Sequence, residues 1–171
     1  MMVSYGGSTP DTVDKFVKRY NTEIKRTAGA IVQNKYNGMS YLVENCTLGK
    51  LYYTDGGKGQ DLFSGNVFFS GFDKSISRRY TDNSENHAVP LSIQFDFLSD
   101  APAEAVFAII EAAIAAAGDD EEKVAKRLGI LNGNQYSIPY NYQSKITFNG
   151  KEYLISSSEG YINFLITIPA K

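Results

Sequence analysis

The chain has 171 residues, and its 17 basic and 19 acidic side chains leave a formal net charge of −2. That balance gives no general attraction to nucleic acid or anionic membranes and leaves open only a local basic patch. The length suits one domain or two small packed halves, and a single cysteine, Cys46, excludes an internal disulfide.

Residues 1–8 read as a flexible leader, and residues 9–171 as a single α+β domain. No apolar secretory core stands at the start. With the lone thiol this gives a cytoplasmic expectation, the alternative being an exported protein whose signal peptide has been removed. Thr9-Pro10-Asp11-Thr12 opens a helix, and Val13, Phe16, Val17, Tyr20 and Ile24 form its apolar stripe. Lys15, Lys18, Arg19, Lys25 and Arg26 lie off the stripe, as on a solvated face, and Gly29 ends the helix.

Short strands come next. Asn37-Gly38 carries a type I′ turn signal, and Tyr41-Leu42-Val43 and Leu51-Tyr52-Tyr53 read as strands around a turn near Leu48-Gly49. The glycine loop at 55–61 lacks the Gly-Lys-Ser/Thr ending of a phosphate-binding loop, since Gly59 follows Lys58; it reads as a hairpin loop. Asn66 to Phe72 is a strand with aromatics on both faces, and Ile76 to Tyr80 continues into another. Lys58, Phe72, Lys74, Arg78, Arg79, Tyr80 and His87 make the chain's strongest basic and aromatic cluster. Such a mixture can stack bases and pair phosphates, or it can be a charged strand edge that blocks unwanted pairing. The polar run at 81–87 is not a calcium loop, because His87 replaces the turn glycine and Ile93 stands where the bidentate acid belongs.

Leu91 to Leu98 alternates apolar with polar and reads as a half-buried strand. Asp100 is the expected N-cap of an almost wholly apolar helix through Ala117, with Pro102 in its first turn and Glu104 and Glu111 as its polar residues. A helix so apolar belongs in a core, and it is too short for a bilayer. Gly118 ends it, and Asp119 with Glu122 reads as a capping box opening a second helix that Gly129 stops. Lys123-Val124-Ala125-Lys126-Arg127-Leu128-Gly129-Ile130 resembles the first helix and turn of a helix-turn-helix DNA-binding motif. The following residues, 131–139, read as a loop, so the recognition helix is lacking and a DNA reader of that type is excluded. The last stretch reads as a three-strand meander with turns at Asn149-Gly150 and Ser158-Glu159-Gly160.

The two ends of the chain also read alike. Lys15 to Tyr20 matches Lys123 to Leu128, and Tyr36 to Val43 matches Phe148 to Ile155. Either the halves at 9–54 and 100–168 are duplicated αβββ units joined by a strand-rich bridge at 55–99, or amphipathic helices and Asn-Gly hairpins look alike by chance. The fold expectation is α+β: a mostly antiparallel sheet covered by an N-terminal amphipathic helix and a central buried helix pair.

No catalytic constellation, cofactor motif or metal-ligand spacing stands out. The leading functional expectation is a non-enzymatic interaction protein, such as an inhibitor, immunity-type or adaptor module, with homodimerisation also open. It would bind a protein partner through exposed aromatic strands and loops, for which 12 tyrosines are available. The second is a binder of a small anionic ligand or nucleic acid through Lys58, Lys74, Arg78 and Arg79. The third is a carboxylate-based enzyme using Glu44, Asp55 or Asp96.

Overall fold

The computed structural model describes residues 8–10, 13–28, 32–41, 46–54, 61–70 and 91–169; within the first three strands it describes the backbone and, of the side chains, Val67. Helix α1 (Val13–Ala28) precedes strands β1 (Val32–Tyr41), β2 (Cys46–Thr54), β3 (Asp61–Ser70) and β4 (Leu91–Leu98). Helices α2 (Ala103–Ala116) and α3 (Glu121–Leu128) follow. The short pair β5 (Leu131–Asn132) and β6 (Gln135–Tyr136) comes next, and then the meander β7 (Gln143–Phe148), β8 (Lys151–Ser158) and β9 (Tyr161–Ile168). The described main sheet has the order β1-β2-β3-β4-β9-β8-β7, and every neighbouring pair is antiparallel.

The sheet's seam is the pairing of β4 with β9, which joins strands far apart in sequence. Both alternate, and the register matches apolar to apolar: Leu91 with Ile168, Ile93 with Ile166, Phe95 with Phe164, Phe97 with Ile162. Because side chains alternate with period two, a slip of one residue would carry both sets to the wrong face. On the covered face Phe16 and Tyr20 of α1 pack on Phe95, with ring centroids 6.5 and 5.7 Å away. Phe95 meets Phe164, and Phe164 meets Tyr153 of β8. A ladder of rings thus runs from α1 across β4 and β9 to β8. Each of its phenylalanine rings, fully buried, contributes about 1.5–3 kcal/mol of transfer free energy.

Helix α2 lies between α1 and α3 and touches both. Ala105, Val106, Ala108, Ile109, Ile110 and the whole of 112–117 are buried, as its near-continuous apolar run requires. Its alanines allow close approach of neighbouring backbone, and Thr27 Oγ1 of α1 donates to Ala108 O at 2.9 Å. On α1, Phe16, Val17, Tyr20 and Ile24 are buried as the stripe predicts.

Several local expectations are corrected. The N-cap of α2 is Pro102, with no side-chain cap, and Asp100 lies two residues earlier in a turn where Ala101 N donates to Leu98 O. Asp120, not Asp119, caps α3, accepting from Lys123 N at 3.0 Å. Gly118, at φ 96°, turns the chain so that Asp119 faces the core and the cap passes to its neighbour. Asn37-Gly38 is not a turn: β1 runs through it, with a register shift between Tyr36 and Ser40. Gly49 pairs with Tyr36 inside β2, so Leu48-Gly49 is not a turn either. The residues at 131–136 form a small hairpin, β5–β6, closed by Gly133-Asn134. It stands where a recognition helix would have to be. Asn149-Gly150 is a true two-residue turn, with φ of 49° and 75°, as the Asn-Gly signal predicts. The proposed match of Tyr36–Val43 with Phe148–Ile155 therefore equates a bulge with a turn.

Candidate functional site

The predicted cluster of Lys58, Phe72, Lys74, Arg78, Arg79, Tyr80 and His87 lies outside the described residues, as do Glu44 and Asp55. Of the acids named from sequence, Asp96 is described. It stands on β4 in register with Asn66 and Asn163 and accepts from Gln94 Nε2 at 2.9 Å. No described carboxylate is paired with it in register. Among the described residues there is no group of three or more His, Cys, Asp or Glu able to hold a metal ion. No described helix is long and apolar enough to cross a membrane.

Three features outside that cluster carry chemistry. The first is the uncovered face of β4, β9, β8 and β7. Alternation that buries Leu91, Ile93, Phe95 and Phe97 sends Ser92, Gln94, Asp96 and Leu98 to the other side. In register rows this face reads Leu98–Tyr161–Ser158, Asp96–Asn163–Ser156–Gln143, Gln94–Leu165–Leu154–Lys145 and Ser92–Thr167–Glu152–Thr147. The contacts of α1 and α3 are with the opposite face. Leu98 and Tyr161 are 53% and 57% exposed and sit side by side across the β4–β9 seam. Around them lie small hydroxyl and amide side chains and the surface ion pair Lys145–Glu152 at 3.0 Å. The face is therefore apolar at one end and along its Leu165–Leu154 row, and hydrogen-bonding elsewhere.

The second feature is a cleft of about 270 Å³ lined by Glu111, Glu122, Lys126, Leu131, Gly133, Asn134 and Tyr136. The β5–β6 hairpin forms one wall because Gly129, at φ 80°, reverses the chain after α3 and Tyr136 stacks on Phe107 of α2 at 4.9 Å. Beside it Arg26 of α1 grips Glu121 with both terminal guanidinium nitrogens, at 3.0 and 2.6 Å, and Nη2 reaches Glu23 at 3.4 Å. The fork holds the Arg26 guanidinium firmly protonated, chiefly through the hydrogen bond to Glu121. Burial pushes the Glu111 carboxyl up to about 7, aided by the negative charge of Glu121 and a hydrogen bond with it. The Tyr136 hydroxyl is buried without a hydrogen-bond partner among the described residues, and its pKa is raised by burial and then by Glu111.

The third is a closed network under the β7–β8 turn. Asp119 accepts from Tyr153 OH and from Asn149 Nδ2 at 2.8 Å, and pairs with Lys151 Nζ at 3.3 Å. Lys151 Nζ also donates to Thr9 Oγ1 at 3.0 Å. Asp119 and Lys151 are each 2% exposed. With Asp119 and Lys151 buried and the exposed Asn149 and Thr9 at its ends, this network joins the α2–α3 connection, the β7–β8 turn and the N-terminal segment. It fixes a fold rather than meeting a ligand.

Sequence reading missed Glu111, Asp119, Lys151 and Tyr161 as residues of consequence. For Glu111 a signal existed: beyond the first turn, where Glu104 stands, it is the polar residue of an apolar helix. For Tyr161 the strand pattern alone gives no sign, since exposure depends on which neighbours cover the face. Comparison with family models, with curated proteins and with solved structures gave no match.

Proposed function

We propose that this chain is a non-enzymatic interaction module that engages a protein partner on the uncovered face of its C-terminal strands. The observation that carries the reading is the Leu98–Tyr161 pair, more than half exposed at the end of a face that no described helix contacts. Tyrosine provides a large contact area with a hydrogen-bonding tip at small entropic cost, and such anchors concentrate binding energy. The surrounding Ser, Thr, Asn and Gln side chains supply the polar rim that such a patch requires. The partner of best fit presents an apolar or aromatic anchor framed by carbonyl and hydroxyl groups.

A photo-crosslinking residue placed at position 161 or 98 of the full chain, in cells that produce it, tests this. The expected result is a discrete product containing one other protein, lost when Leu98→Ser is combined with Asn163→Ala. A product of twice the chain's own mass would reassign the face to a homodimer. No product from either position, with crosslinks from the exposed α3 positions Lys123 and Lys126 instead, would overturn the reading.

A further inference from the structure

The large apolar side chains that are exposed among the described residues, Leu98, Tyr140 and Tyr161, all stand at one end of the sheet. Leu98 and Tyr161 pair across the β4–β9 seam, and Ser158 pairs with Tyr161 on its other side. Tyr140, 68% exposed, is held at the same end through Ser157. Ser157 N donates to Tyr142 O at 2.8 Å, and Ser157 Oγ donates to Pro139 O at 2.5 Å. One further bond, from Ser99 N to Gly160 O at 3.0 Å, ties the β4–α2 connection to the β8–β9 turn.

Charge at this end has one sign. Asp100 follows Ser99 and Glu159 precedes Gly160, so two exposed acidic residues flank the bond that joins the two segments. Asp96 stands in the next row of the open face. The segments 96–104, 137–144 and 156–163, which build this end, contain no Lys or Arg. A second copy of the chain, docked by this end on itself, would bring acid against acid. A metal ion finds no group of three or more His, Cys, Asp or Glu among the described residues to hold it. The complementary occupant is a cation that also tolerates apolar surface.

We infer that the partner engaged here presents an arginine beside an apolar residue. The apolar residue packs on Leu98, while the guanidinium lies against a tyrosine ring and pairs with Asp100 or Glu159. The inference rests on the reading of this face as a protein-binding surface and adds the charge of the partner to it. Guanidinium suits the place because it is planar and weakly hydrated, stacks on aromatic faces and forks onto carboxylates. One such contact with an exposed ring strengthens binding about two- to fivefold.

The test is an NMR titration of the isotope-labelled full chain with two capped tripeptides, Arg-Leu-Arg and Glu-Leu-Glu. Arg-Leu-Arg should move the amides of 98–101, 140–142 and 159–162 and bind about tenfold tighter than Glu-Leu-Glu at low salt. Most of that advantage should vanish at about 1 M salt, where the screening length is about 3 Å. Asp100→Lys combined with Glu159→Lys should abolish it as well. Equal shifts from the two peptides at this end would overturn the charge preference and leave the protein-binding surface standing. A preference for Glu-Leu-Glu, or no shift at this end from Arg-Leu-Arg, would also overturn the inference, whereas crosslinking from position 161 tests the surface itself.

Discussion

The two faces of the C-terminal half of the sheet are made by the same strands, residue by alternate residue, yet they differ in kind. On the covered face β4 and β9 set Ile against Ile and Phe against Phe, and α1 adds Phe16 and Tyr20 to the same stack. On the other, the same two strands set Asp96 against Asn163 and Leu98 against Tyr161. The first face has its partner within the chain. The second has hydrogen-bonding groups and an apolar end that no described helix covers. Nor does the edge strand β7 offer itself for pairing: Arg127 Nη1 donates to Thr147 O at 3.1 Å and its guanidinium lies over Phe148, while Lys145 stands on the outer strand. Such devices protect this edge.

The comparison predicts a graded series of effects. The largest belongs to the covered face: Phe95→Ala, removing the ring that joins α1 to β9, should cost about 3–5 kcal/mol in denaturant unfolding. A loss below about 1 kcal/mol would show that the ladder of rings is not the core. Nearly as large is Asp119→Ala, which strands the buried Lys151 charge and should cost about 3–5 kcal/mol. Pairing it with Lys151→Met should recover most of that loss, because the double change leaves no unpaired charge; no recovery would mean the network acts by some other route. Next comes Gly129→Ala. Its Cβ would meet Tyr142 OH, which donates to Leu128 O at 2.6 Å, and the left-handed backbone resists any side chain. A loss of about 1–3 kcal/mol is expected by the same unfolding assay. Smallest is the open face: Leu98→Ser should shift stability by no more than about 0.5 kcal/mol. A larger loss would mean that this end of the sheet is packed against part of the chain.

Much of this division was legible in the sequence. The alternation of Leu91 to Leu98, the stripe of α1 and the unbroken apolarity of α2 each fix which side is inside, because periodicity and burial are the same fact seen twice. Asn149-Gly150 was legible for the same local reason, whereas Asn37-Gly38 was not. A dipeptide that favours positive φ fits a hairpin and a bulge equally, and long-range pairing with β2 decides between them. Asp119 and Asp120 were interchangeable as caps until the turn at Gly118 assigned one to the core and one to the helix. The proposed binding face was the least legible. Whether Tyr161 is a core ring or a surface ring depends on what lies above its face, and no pattern within β9 records that. The resemblance to a DNA-binding helix failed because eight residues of amphipathic helix specify only a face, and the hairpin after Gly129 took the place of the reader.

The most direct trial of the two-face account is site-specific crosslinking from position 161, on the open face, set beside position 123, on the outer side of α3. The account predicts a single discrete product from 161 and none from 123. Equal crosslinking at both positions, or product at 123 alone, would contradict it.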